Sequence, residues 1–283
     1  MPQSPLKLHL GYAGYCWSGE HHALRGGRRR KIRFYALWGL IEHPRHGLIL
    51  YDTGYTPAFY AATKRWPASI YAKLTKVVIN EVDTVKNQLL RADIDPTEIR
   101  HLILTHFHAD HAGGLRDFPN ATVYLSQAAL TQVQRLGKRW AFTKGILPEL
   151  LPSNLEERVH LVEVDCSSTP DPHFGKHYDL FDDGTIQLLP LPGHAAGQLG
   201  VRLTTTKQTY LLAADACWLR EHYLTDRLPH PLVRLFFDSW SDFKQSLRAL
   251  RAFHRAHPEV RIVPTHCQRT TDPLVSTNIE YHL

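Results

Sequence analysis

THFHADHAGG, residues 105–114, packs three histidines and an aspartate into positions 106–111 and closes on two glycines. Imidazole and carboxylate at this density point to metal, because both suit zinc and its borderline neighbours. In an extended segment His106 and His108 project to the same side, since side chains alternate with period two, so both can reach one ion. Asp110 and His111 follow after a turn and can face a second ion. Gly113 and Gly114 are expected to let the backbone turn tightly into the next segment. A histidine-rich loop with no partners elsewhere is an ordinary solvated loop, so the reading depends on the rest of the chain.

The rest of the chain supplies partners. HLILT (101–105) leads into that loop, TIQLLPLPG (185–193) runs into His194, TYLLAA (209–214) into Asp215 and VRIVPT (260–265) into His266. Each is a strand-like apolar run that ends in ligand chemistry, and strand ends fix side chains with little reorganisation. If these ends share one edge, the imidazoles of His106, His108, His111, His194 and His266 converge with the carboxylates of Asp110 and Asp215. A lone strand-end histidine is ordinarily a hydrogen-bonded loop residue, and only the HxHxDH spacing lifts His194 and His266 above that. Seven donors exceed what one tetrahedral zinc uses and suit a pair of ions. The remaining histidines, including His21, His22 and His43, read as ordinary side chains.

A chain of 283 residues, 43% apolar and 21% charged, is expected to form one α/β domain over 1–283 with a substantial core. Its first residues, MPQSPLKLHLGYAGYCWSGE, show no secretory signal pattern, and no apolar run approaches the roughly 18–20 residues of a membrane span. A cytoplasmic protein with no membrane partner is therefore expected. Cys16, Cys166, Cys217 and Cys267 form no CxxC pair and read as reduced thiols, which also argues against an iron–sulfur site. The formal charge of +6 is scattered apart from RGGRRRKIR, 25–33, which reads as a solvated loop, so nucleic acid is not an expected partner.

Alternating and apolar runs place strands at 34–41, 48–51, 101–105, 122–125, 159–164, 185–189, 200–204, 209–213 and 260–263. The first two are joined through EHPRHG as a hairpin, and 200–204 pairs with 209–213. Helices are expected over 85–92, 126–135 and 241–257, the last with Phe243, Leu247, Leu250 and Phe253 on one face. Residues 55–80, aromatic and broken by prolines, suggest short helices.

DTG at 52–54, THFHADHAGG at 105–114, PGHAAGQLG at 192–200, AADA at 213–216 and THC at 265–267 together resemble the metallo-β-lactamase-fold superfamily of hydrolases. The resemblance implies an αββα sandwich: two central mixed sheets flanked by helices, with two divalent metal ions at one edge. Zinc is the first expectation, with iron, manganese or cobalt as alternatives. His106, His108 and His194 would hold one ion, Asp110, His111 and His266 the other, and Asp215 would bridge them, while Asp52 would brace the ligand loop. ILYDTGY (49–55) and residues 95–126 are most similar to N-acyl homoserine lactonases, which place a tyrosine three residues after the bridging aspartate. Here that position is Trp218, and Tyr223 and His222 in WLREHYL are candidate catalytic substitutes.

The implied chemistry is attack by a metal-bridging hydroxide, oriented by Asp110, on a carboxylic ester or lactone, possible substrates including N-acyl homoserine lactone. A thioesterase, a phosphodiesterase, or a signalling or partner-binding module with a vestigial site remain alternatives. Residues 55–80 and 218–240 are expected either to line an apolar channel for the acyl part of a small-molecule ester, lactone or thioester, or to pack a core or homodimer contact.

Overall fold

The computed structural model describes residues 6–162 and 170–275. Its first sheet contains β1 (Lys7–Gly19), β2 (Lys31–His43), β3 (Gly47–Tyr51), β4 (Val77–Val78), β5 (His101–Ile103), β6 (Thr122–Ser126) and β7 (Val159–Val162), in the order β4-β1-β2-β3-β5-β6-β7. The second contains β8 (Tyr178–Asp179), β9 (Ile186–Pro190), β10 (Leu199–Thr204), β11 (Thr209–Leu212) and β12 (Arg261–Val263), in the order β12-β11-β10-β9-β8.

Strand alternation assigns each residue to a layer. On β3, Ile49 and Tyr51 face the second sheet, whereas Leu50 faces outward. On β11, Leu212 points between the sheets and Leu211 away from them. The inner layer joins Leu37, Ile41, Ile49 and Ile103 to Leu188, Val201, Leu203 and Val263. Outside the first sheet, Leu50, Leu102 and Val123 pack on Val85, Leu89, Phe118 and Ala129. Outside the second, Leu189, Leu191 and Leu211 meet Phe243, Leu247, Leu250 and Phe253 of the helix Trp240–Ala256. The layers run helix, sheet, sheet, helix: the αββα sandwich.

Ser239 caps the N-terminus of that helix through Asp242 N–H, and Ser126 caps the helix Gln127–Arg135 in the same way. The expected hairpins form as antiparallel pairs, β2 with β3 and β10 with β11. Residues 55–80 hold two short helices, Ala58–Ala62 and Ser69–Leu74. Two differences stand out. β1 is a 13-residue strand where no strand was expected, and β2 begins at Lys31, so the end of the basic run is strand and not loop. The expected strand at 159–164 is seen as far as Val162, and its last two positions, like Cys166, lie outside the described residues. No helix among the described residues is long and apolar enough to cross a membrane.

Candidate metal centre

β9 and β11 both run antiparallel to β10, and β12 runs parallel to β11, so these three strands point the same way. Their C-terminal ends therefore deliver His194, Asp215 and His266 to one edge. The HxHxDH loop leaves β5 in the other sheet. Two backbone bonds tie the pieces together: Leu199 N–H donates to Thr105 O at 3.1 Å, and Thr265 N–H to Ala214 O at 3.3 Å.

Local backbone geometry is unusual at this edge. Asp52 and Ala214, neither of them glycine, have φ of 52° and 46°. The glycine pair, by contrast, is not left-handed: Gly113 and Gly114 have φ of −61° and −102°. They do form the turn from Ala109–Ala112 into Leu115–Asp117, but what demands glycine there is close approach. A Cβ on Gly113 would lie 2.6 Å from both Ala109 O and Gly54 O, and one on Gly114 would lie 2.9 Å from Thr53 O. The DTG turn is thus pressed against the helical turn Ala109–Ala112. Thr53 fastens the contact, its hydroxyl donating to His111 O at 2.7 Å and accepting from Gly114 N–H at 2.9 Å.

All seven expected ligands meet. His106, His108 and His194 form one set and Asp110, His111, Asp215 and His266 another, each with its donor atoms within 4.8 Å of one another. Asp215 joins the sets, its Oδ2 lying 3.2 Å from His194 Nε2 and 3.1 Å from His266 Nε2. Asp52 lies behind them. It accepts from His111 Nδ1 at 2.7 Å and from the Thr105 N–H and hydroxyl at 2.9 Å each. His266 Nδ1 donates to Tyr35 O at 2.8 Å. These outer bonds place the proton on Nδ1 and turn each Nε2 lone pair inward. His106 Nε2, His111 Nε2 and Asp215 Oδ1 are buried with no hydrogen-bond partner, a cost that cations at the two sets would relieve. The donor set fits metal.

Burial, reinforced by neighbouring imidazoles, holds His106 well below the usual histidine range. Burial also depresses His194 strongly and His108 to about 4. These rings are neutral and ready to ligate. Burial opposes charge on His111 and His266 too, but Asp52, Asp110 and Asp215 outweigh it at His111, as Asp215 and Asp110 do at His266. Asp215, despite its burial, is kept well below the carboxylate range by His266 and His194.

A third His/Asp group, His43, His46 and Asp183, is explained without metal. His43 Nδ1 accepts the backbone N–H groups of Arg45 and His46, and its Nε2 faces Thr185 Oγ1 at 3.1 Å. His43 is the ordinary histidine the sequence suggested.

The two sets open into a cavity of about 690 Å³. Both segments expected to line a channel do so: Tyr55, Ile70, Tyr71 and Leu74 on one side, Trp218, Val233, Leu235 and Phe236 on the other. The Trp218 ring meets His194 edge-on at 5.7 Å.

His222 and Tyr223 are not there, and this corrects the expectation that either stands in for a tyrosine at Trp218. His222 is fully buried, accepting from Trp218 N–H at Nδ1 and donating from Nε2 to Ala23 O at 2.9 Å, so both ring nitrogens are engaged away from the cavity. Tyr223 packs edge-on against His254 and lines a separate recess beside Arg261. Tyr55, Tyr71 and Cys16 line the cavity instead. Tyr55 and Tyr71 fall within the segment 55–80 that the sequence offered as a channel wall, but no individual role was read for either, and Cys16, on the unforeseen strand β1, was read only as a reduced thiol.

Comparison with known proteins agrees with this geometry. The model of the metallo-beta-lactamase superfamily matches residues 32–266. A probable metallo-hydrolase of Mycobacterium tuberculosis is 26% identical over 237 residues, 80% of this chain and 73% of that protein. An N-acyl homoserine lactonase of Rhizobium radiobacter is 29% identical over 178 residues, 60% of this chain and 59% of that protein. The crystal structure of a quorum-quenching N-acyl homoserine lactone lactonase superposes with a TM-score of 0.74 at 19% identity, covering 98% of this chain and 99% of that one. That last likeness is one of fold.

Proposed function

Because the chain belongs to the metallo-beta-lactamase superfamily and is a metallo-hydrolase of that kind, we propose that it uses two divalent cations to cleave a carboxylic ester or lactone. One observation carries this: two adjacent His/Asp sets, linked by Asp215, form the inner end of an apolar-walled cavity. His106, His108 and His194 would hold one ion and Asp110, His111 and His266 the other, with Asp215 placed to reach both. Zinc suits this thiolate-free donor set. When bound, such ions lower the pKa of water and polarise a carbonyl.

The protein's own groups do the rest. Asp110 borders the cavity and orients the attacking water. Asp52 fixes the tautomer of His111. Tyr71, whose phenol is kept protonated first by burial and then by the charge of Asp110, can donate a hydrogen bond to the substrate oxygen. Ile70, Leu74, Leu235 and Phe236 line the way in for an acyl chain.

The test is proton release from short- and long-chain N-acyl homoserine lactones by metal-loaded protein, against a chelated control. Chelator-sensitive turnover supports a lactonase. Absence of turnover by protein holding two metals excludes N-acyl homoserine lactones and leaves other esters, thioesters and phosphodiesters.

A further inference from the structure

The basic run at 25–33 takes no part in the metal centre, yet the fold sets part of it in a recess beside the cavity. Lys31, the first residue of β2, pairs with Gly19, the last of β1. A recess of about 410 Å³ opens there and shares Trp17, Ser18, His22 and Leu74 with the metal cavity, so the two adjoin along these four residues. Beyond those shared walls it carries Arg29, Arg30, Lys31 and Lys76, and no carboxylate lines it. Glu20, which pairs with Arg30, lines a different recess. Arg29, Lys31 and Lys76 are exposed and have no ion pair among the described residues. Nothing from 218–240 lines this recess, so the apolar wall and the cations belong to two adjoining recesses.

Cations gathered without counter-charge beside a reactive cleft repel one another and focus a positive potential into it. An uncharged acyl lactone makes no use of that. Resting on the hydrolase reading above but moving its substrate from an oxygen ester or lactone to a thioester, we propose that the recess binds a phosphate-bearing leaving group, and that the substrate is an acyl thioester of a phosphorylated small-molecule carrier of the coenzyme A type. The acyl chain lies along Val233, Leu235 and Phe236, and the phosphates lie at Arg29, Lys31 and Lys76. Water adds to the acyl carbon, the C–S bond breaks, and the sulfur leaves as a thiol with the proton from water. The products are a carboxylic acid and the phosphorylated thiol, with no further reactant.

The experiment compares hexanoyl-coenzyme A with the hexanoyl thioester of N-acetylcysteamine, which has the same scissile bond and no phosphate. Both are given to the metal-loaded enzyme and to the R29A/K31A/K76A variant. The variant is expected to lose about tenfold more kcat/KM on the coenzyme A ester than on the cysteamine ester, with the difference shrinking as salt is raised. K244A/R248A/R255A, which removes the same charge from the helix Trp240–Ala256, should show no such difference. Equal losses on both thioesters would overturn the proposal.

Calorimetric binding of free coenzyme A needs no turnover and separates the two readings. Binding lost in the R29A/K31A/K76A variant, in a protein that cleaves no ester, lactone or thioester, would sink the hydrolase reading and keep the recess. Lactone hydrolysis without coenzyme A binding would do the reverse.

Discussion

Asp52 touches no reacting group in this arrangement, yet three hydrogen bonds run from it to Thr105 and His111. Ligand-orienting carboxylates of this kind typically tune metal affinity about 10–100-fold. Asp52→Ala is accordingly expected to weaken one of two bound ions by that order, read by competition with a chromophoric chelator, and unchanged affinity for both would remove Asp52 from the site. Tyr71 and Tyr223 give a paired test. Tyr71→Phe should lower kcat by up to about tenfold with metal content intact, the net worth of one lost hydrogen bond. Tyr223→Phe, remote from the cavity, should leave kcat alone. The opposite ranking would restore Tyr223 and refute the placement of Tyr71.

At the scale of elements, the ligand loop depends on the DTG turn packing closely beneath it. Gly113→Ala drives a methyl into two backbone oxygens 2.6 Å away, which have no rotamer to escape into. Overpacking of this kind costs about 1–3 kcal/mol, so a clear fall in the urea midpoint is expected, and a neutral substitution would contradict the close approach. The channel wall is tested by Phe236→Ala, for which the ratio of long-chain to short-chain turnover should change while metal content does not. Much of this was legible beforehand. The runs ending at His194, Asp215 and His266 are continuous apolar stretches that break at once into polar chemistry, and the structure brings those ends together. β1 was not legible, because Gly14 ends the alternation of Leu8, Leu10 and Tyr12, the register shifts between Tyr12 and Tyr15, and its pairing with β2 is long-range. The role of the glycine pair was only half read for a related reason: both residues do turn the chain from Ala109–Ala112 into Leu115–Asp117, but at φ values open to any residue, and it is the close approach that requires glycine. Sequence shows that a glycine is small, but only the neighbouring backbone shows whether turn or contact demands it. His222 misled because its nearness to Asp215 in sequence says nothing of direction, and its ring turns toward Ala23.

Across the whole molecule, buried neutral groups link stability to pH. Burial lowers His222 to about 4, with Arg251 and Arg227 adding to the effect and the bond to Ala23 opposing it. The unfolded chain binds this proton near the ordinary pKa of about 6.5, the folded chain only near the lowered value. Between those limits the unfolded state holds more protons, so stability falls as pH drops, by up to about 1.4 kcal/mol per unit. His222→Gln should flatten that part of the pH–Tm curve relative to the parent, and an identical slope would show that His222 does not carry it. The central claim concerns metal, and it is tested most directly by counting ions. Purified chain dialysed free of excess metal should retain two equivalents by elemental analysis and lose hydrolytic activity as a chelator removes them. Asp215→Asn should retain fewer than two. Full turnover by protein stripped of metal, or an unchanged count in Asp215→Asn, would contradict the two-cation account.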